Sequence, residues 1–184
     1  MKWTLTELRR YQEEPLQLAL SLELADAMIA RFPEQILALT PVALKGFVTY
    51  DRGDATVAIQ VKTTVTTPST RSLTPVELAL NFAITENYLS DPAHLDRYDE
   101  NEDLVFELAD DRTPIDLDEI VIENIIEQLP GRVLTPAEAA GEAMPTGKDW
   151  EVIEEGHVAD EEKTKVDPRL AKLKTLFPDQ DEKD

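Results

Sequence analysis

The 184-residue chain contains no cysteine. Disulfides and thiolate metal sites are therefore excluded. Histidine is nearly absent as well, with only His94 and His157. Neither lies in an HExxH pattern or beside residues that would complete a catalytic triad. No apolar run approaches the 18 residues that would suggest a membrane-spanning helix. The opening segment, MKWTLTELRRYQEE, lacks the apolar stretch of a signal peptide, so a soluble cytoplasmic protein is expected. Phosphate-cradling and nucleophile motifs are also missing: there is no GxxxxGK[ST], no GxGxxG and no GxSxG. Positive charge is scarce, with 18 Lys and Arg against 38 Asp and Glu, for a net charge of −20. Such a field repels phosphate backbones at long range and favours basic partners.

The carboxylates do not assemble into a recognisable metal site. The acidic run Asp96 to Asp103 does not fit an EF-hand loop. With Asp99 in the first position, the sixth is Leu104 instead of the required glycine. A solvated, mobile acidic loop over 91–103, with His94 in it, is the expectation, and no cofactor or metal is expected. A carboxylate-dependent magnesium enzyme is disfavoured, because such ligands need rigid elements to hold them.

What the chain does contain is alternation. Leu16, Leu18, Leu20, Leu22 and Leu24 have the period of a half-buried strand. Val42, Leu44 and Val48 open a hairpin that turns at Asp51-Arg52-Gly53-Asp54 and returns through Val57, Ile59, Val61 and Val65. Gly46, inside the first arm, indicates a bulge or a crowded backbone. A polar loop is expected over 66–74, followed by a strand with Val76, Leu78, Leu80, Phe82 and Ile84 on one face. A short strand is expected over 104–108.

Two helices frame these strands. Thr4 and Glu7 have capping-box spacing before Leu5 and Leu8. Asp116 and Glu119 repeat that spacing before Leu117, Ile120, Val121, Ile125 and Leu129, and Pro130-Gly131 ends the second helix. A further short helix is expected over 25–32. The pattern predicts an α+β fold: a mostly antiparallel, curved or barrel-like sheet with a packed helix.

Beyond Gly131 the composition changes. The expected organisation is an α+β domain over 1–131, an acidic flexible linker over 132–166, a short basic amphipathic helix over 167–177 and a disordered end over 178–184. The linker has one apolar spot at Trp150, Val152 and Ile153. In DPRLAKLKTLF, Leu170, Leu173, Leu176 and Phe177 fall at helical spacing, with Arg169, Lys172 and Lys174 between them. Asp167 and Pro168 suit the start of that helix. Two readings stand side by side: a handle that docks on a partner, or a helix that folds back on its own acidic domain. In PSTRSL, Arg71 stands among hydroxyls between two expected strands. It can grip a phosphate or carboxylate, or simply neutralise part of the acidic surface.

Taken in order, PSTRSLTPVE, the alternating strand, the acidic loop, IDLDEIVIENIIEQLP, GKDWEVIEE and DPRLAKLKTL resemble the YceD family, the large ribosomal RNA subunit accumulation proteins. The blocks run from about Leu5 to Phe177. The resemblance implies a non-enzymatic bacterial or organellar protein that serves 23S rRNA accumulation or processing. Its implied partners are the large-subunit precursor (23S rRNA), a basic ribosomal protein or an assembly factor, with no membrane and no small-molecule substrate. Many relatives carry C-x-R-C-L where this chain reads Ser69-Thr70-Arg71-Ser72-Leu73. A zinc or thiol role in those relatives cannot operate here. The resemblance gives weight to Arg71 and Leu73, and to Trp150, Arg169, Leu170, Lys172, Leu173 and Lys174, as partner- or RNA-binding residues. The alternative from composition alone is a general acidic adaptor or chaperone for basic proteins.

Overall fold

The computed structural model describes residues 1–99, 104–141, 146–148 and 150–152. The chain divides into two units, 1–135 and 136–184. In the first, β1 (Lys2–Trp3) leads into α1 (Leu5–Leu8) and a 3-10 turn at Arg9–Tyr11. Next come β2 (Leu16–Leu22), α2 (Ala25–Arg31), β3 (Ala38–Leu39), β4 (Val42–Asp51), β5 (Asp54–Pro68) and β6 (Pro75–Leu89). A 3-10 helix at Pro92–Arg97 precedes β7 (Val105–Glu107), β8 (Ile115–Asp116) and α3 (Leu117–Glu127). The second unit contains α4 (Pro136–Ala139), β9 (Thr146–Gly147) and β10 (Trp150–Glu151), with β9 and β10 paired antiparallel.

The main sheet runs in the order β2-β4-β5-β6-β7, with β3 added along β5. Every pair is antiparallel except β6–β7. The fold is thus mixed α and β; of the two sheet forms expected, curved or barrel-like, a closed barrel does not form. β2 and β7 end the sheet, and no described strand joins them. Closure needs hydrogen bonds between the first and last strands, and β7 has only three residues to offer.

Side-chain alternation builds the core. Leu18, Leu44, Val48, Val57, Ile59, Val61, Val65 and Ile84 project from one face of the sheet, all nearly inaccessible. Against them pack Leu5 and Leu8 from α1 and Leu117, Ile120, Val121 and Ile125 from α3. The capping box at α1 forms as expected. Thr4 Oγ1 accepts from the Glu7 amide at 3.2 Å, and Glu7 Oε2 accepts from the Thr4 amide at 2.9 Å. The Thr4 amide and, second, the Thr4 hydroxyl, which donates to the same Oε2 at 3.1 Å, hold the Glu7 carboxyl below its ordinary range. The second capping box does not form. Asp116 Oδ1 accepts from the Asp118 amide at 3.3 Å, while Glu119 turns outward to Arg31, which also reaches Glu123. A salt-bridge partner on α2 takes the side chain that the spacing had assigned to the cap.

The β4–β5 hairpin closes through Arg52 and Gly53, with φ of 49° and 102°. Two successive positive φ values define the tight turn whose twist suits paired strands. At Gly46 the crowded-backbone reading holds. Pairing runs unbroken from Ala43↔Lys62 to Asp51↔Asp54, and a Cβ at position 46 would lie 2.1 Å from the Ala58 carbonyl oxygen.

The polar loop is shorter than expected. Thr66, Thr67 and Pro68 remain in β5, opposite Glu77, Val76 and Pro75. Two facing prolines, neither with an N–H to give, close the ladder there. Of the loop expected over 91–103, the described part, 91–99, is structured. Asp91 caps the 3-10 helix by accepting from the Ala93 amide at 2.9 Å, and Pro92 fills the first turn. Asp54, with its side chain 4% exposed, accepts from Arg97 Nη1 at 3.0 Å and lies 2.7 Å from His94 Nδ1. His94 is therefore an anchor of this helix to the hairpin, where a solvated residue had been expected.

A buried polar knot ties β6 to α3. Glu86 accepts from Tyr88 Oη and from Asn124 Nδ2 at 2.7 Å, and Asn124 also bonds the Ile120 carbonyl at 2.9 Å. Burial, with the adjoining carboxylate, pushes the Tyr88 phenol well up, so it stays a donor. The Tyr88 ring stacks on Phe106 of β7 at 5.4 Å between centroids.

Candidate recognition loop and cleft

The loop between β5 and β6 is braced by its own hydroxyls. Ser69 is fully buried, and its Oγ accepts from the amides of Arg71 at 3.1 Å and Ser72 at 3.3 Å. The Ser69 amide donates to the Thr74 carbonyl at 2.8 Å, and the Leu73 amide donates to the Ser69 carbonyl at 3.0 Å. Ser72 and Thr74 join through their side chains at 2.8 Å. Serine and threonine favour such local side-chain-to-backbone bonds, which explains a fixed loop in so polar a stretch.

The loop is also pinned from outside. Both the amide and the Oγ1 of Thr70 donate to the Val133 carbonyl, at 2.8 and 2.9 Å. Pro130-Gly131 turns the chain after α3 and brings Val133 to this position. Between loop and helix end lies a cleft of about 470 Å³. Leu73, Ile126, Leu129, Pro130 and Val133 give it an apolar wall; Glu34, Gln35 and Thr67 give it a polar rim.

Leu73 is the conspicuous residue. It is 73% exposed and holds a φ of 63°. A left-handed conformation costs a non-glycine residue roughly 1–2 kcal/mol. The braced loop holds a leucine in that conformation with its side chain in water. Strain of this sort accumulates where a residue meets a ligand. Leu73→Gly is therefore expected to stay within about 1 kcal/mol of the parent, since relief of strain offsets added chain freedom. Thermal unfolding checks this, and a loss above about 2 kcal/mol would show that Leu73 is a packing residue after all.

Of the site residues expected from sequence, Arg71 and Leu73 stand together on this loop. Trp150 lies in β10, where its backbone pairs with Gly147. Arg169, Leu170, Lys172, Leu173 and Lys174 lie outside the described residues. The cleft's α3 side was not foreseen. Its sequence signals are Leu129 at the end of the α3 apolar face, the Pro130-Gly131 stop and the apolar Val133-Leu134 pair after it.

An open-sheet α+β protein with a hydroxyl-braced loop beside an apolar cleft is the class that this architecture defines. No helix among the described residues is long and apolar enough to cross a membrane. The chain belongs to the family of the large ribosomal RNA subunit accumulation protein YceD, whose sequence model matches residues 57–177. It is also similar to the uncharacterized protein YlbN of Bacillus subtilis (strain 168), with 27% identity over 183 residues, covering 99% of each chain. No solved structure matches.

Proposed function

We propose that this chain is a non-enzymatic cytoplasmic factor in the accumulation and processing of 23S rRNA, and so in building the large ribosomal subunit. It acts by holding the rRNA precursor, a basic ribosomal protein or an assembly factor. The observation that carries this reading is the family match across 57–177, which takes in the braced loop, α3 and the basic tail. The charge of −20 supports a partner that is basic or is gripped locally. Arg71 and Leu73 on the loop, with Trp150, Arg169, Leu170, Lys172, Leu173 and Lys174 beyond it, are the proposed contact residues. In this proposal 132–166 is a linker and 167–177 is a helical handle.

The test is the rRNA profile of a strain lacking the gene. Mature 23S rRNA and large subunits should fall relative to 16S rRNA and small subunits, and the wild-type gene should restore them. Unchanged 23S levels and precursor ends would sink the reading. The same strain separates it from a general acidic chaperone of basic proteins, which the net charge alone would also suit. That chaperone would leave rRNA maturation intact.

A further inference from the structure

The face of the main sheet turned away from the core is covered at its hairpin end, where Asp54, Asn87 and Leu89 are buried, and is open to solvent beyond it. Its side chains form cross-strand rows over β2, β4, β5 and β6. One row is Ser21, Ala43, Lys62 and Asn81; the next is Ala19, Lys45, Gln60 and Ala83. A third is Gln17, Phe47, Ala58 and Thr85. In a chain with 38 acidic residues in 184, these three rows hold no carboxylate. They hold two lysines and a phenylalanine that is 40% exposed.

Lys45 and Lys62 are diagonal neighbours on adjacent strands, because Lys45 pairs with Gln60 and Ala43 with Lys62. Like charges at this spacing repel. Neither lysine forms an ion pair with a described residue. Together with Ala43 and Gln60 they line a shallow hollow of about 350 Å³. Gln60 Nε2 donates to Asn81 Oδ1 at 2.8 Å, which fixes an amide pair beside the lysines. The alanines keep the floor low, so Phe47 presents its ring to solvent. Carboxylates within the strands reach this face only at its margins. Asp51 and Asp54 lie at the hairpin turn, Glu77 near the braced loop and Glu107 on the edge strand.

Resting on the rRNA reading above, we infer that this face binds single-stranded RNA, with Lys45 and Lys62 on phosphates and Phe47 stacked on a base. An aromatic ring and cations on an otherwise uncharged floor suit an unpaired strand, whose bases splay and stack. The acidic composition does not forbid it. Glu119, Glu123 and Glu127 are exposed on α3, behind the core layer. A helix with its side chains is about 10–12 Å across, and exposed charges beyond about 8 Å are largely screened at physiological salt. The complementarity is local, against a global field of the opposite sign.

The test uses the full chain and a fluorescein-labelled 12-nucleotide oligouridine, read by anisotropy from 50 to 200 mM salt. The wild type should bind. Phe47→Ala should weaken binding about five-fold or more, the scale of one lost base stack. Lys45→Gln with Lys62→Gln should weaken it and flatten the slope of log K against log salt by about 1.4, or 0.7 per phosphate contact. Arg52→Gln, at the exposed hairpin turn, is the control and should bind as the wild type does. Unchanged melting temperatures establish that the variants fold. Absence of binding by the wild type, or equal binding by all variants, overturns the inference. Capture of an acidic protein by the lysine face, with no RNA bound, also overturns it. None of these outcomes touches the proposed rRNA role, which the deletion strain decides separately.

Discussion

Gly46→Ala should unfold or grossly weaken the first unit. The alanine methyl would have to occupy space 2.1 Å from the Ala58 carbonyl oxygen and 2.7 Å from the Ile59 Cα. Both obstacles are backbone in the middle of a ladder, so no flexible side chain can swing aside. The strands must part, and β4 pairs on both sides, with β2 and with β5. Overpacking of a yielding core typically costs about 1–3 kcal/mol. Here the loss should be at least about 3 kcal/mol, a fall in melting temperature of roughly 10 °C or more for a unit of this size. Circular dichroism on heating gives the answer. A loss below about 1 kcal/mol would mean that β4 and β5 can separate locally without loss of pairing. A milder consequence follows even if the protein folds: Lys45 and Phe47 flank Gly46, so their placement on the open face would shift.

Ile125→Ala should be the next most damaging change, costing about 3–4 kcal/mol. Ile125 is completely buried, in the helix that covers the sheet. Isoleucine-to-alanine changes at such positions cost about 2–5 kcal/mol, the loss of apolar burial plus a residual cavity. The upper half of that range applies because a sheet on one side and a helix backbone on the other limit collapse. Ile125→Val should cost only about 1 kcal/mol. Urea denaturation gives both values, and an unchanged slope against denaturant would establish that the unfolding reaction is the same. Equal losses for valine and alanine would point to lost shape instead of lost volume. Ile126, the next residue, lines the cleft beside the braced loop, so loosening α3 should also loosen that wall.

Elements written by short-range periodicity were legible in the sequence. Leu16 to Leu22 alternate, Val76 to Ile84 alternate, and Asp116 announces α3. Thr4 and Glu7 bonded as their spacing required, because a capping box needs only residues three apart. What stayed hidden was decided by partners distant in sequence. Glu119 left its expected cap for Arg31, 88 residues away. Asp54 looked like a turn residue and His94 like a solvated one, yet they meet across 40 positions. Half the cleft depends on the Val133 carbonyl, a backbone group that every residue has. The open face was obscured for another reason. Attention to Val42, Leu44 and Val48 as core treats Lys45 and Phe47 as filler between them, although the same alternation places them together.

The β1–β8 pairing joins Lys2 to Asp116 and Trp3 to Ile115. Synthesis delivers β1 before the meander and β8 only after the whole meander has been made. Residues made before the meander are thus among the latest to find their neighbours. Until then Trp3 has no Ile115 to sit beside, and the β4–β5–β6 meander, each strand next to its successor in the chain, has everything it needs to pair without them.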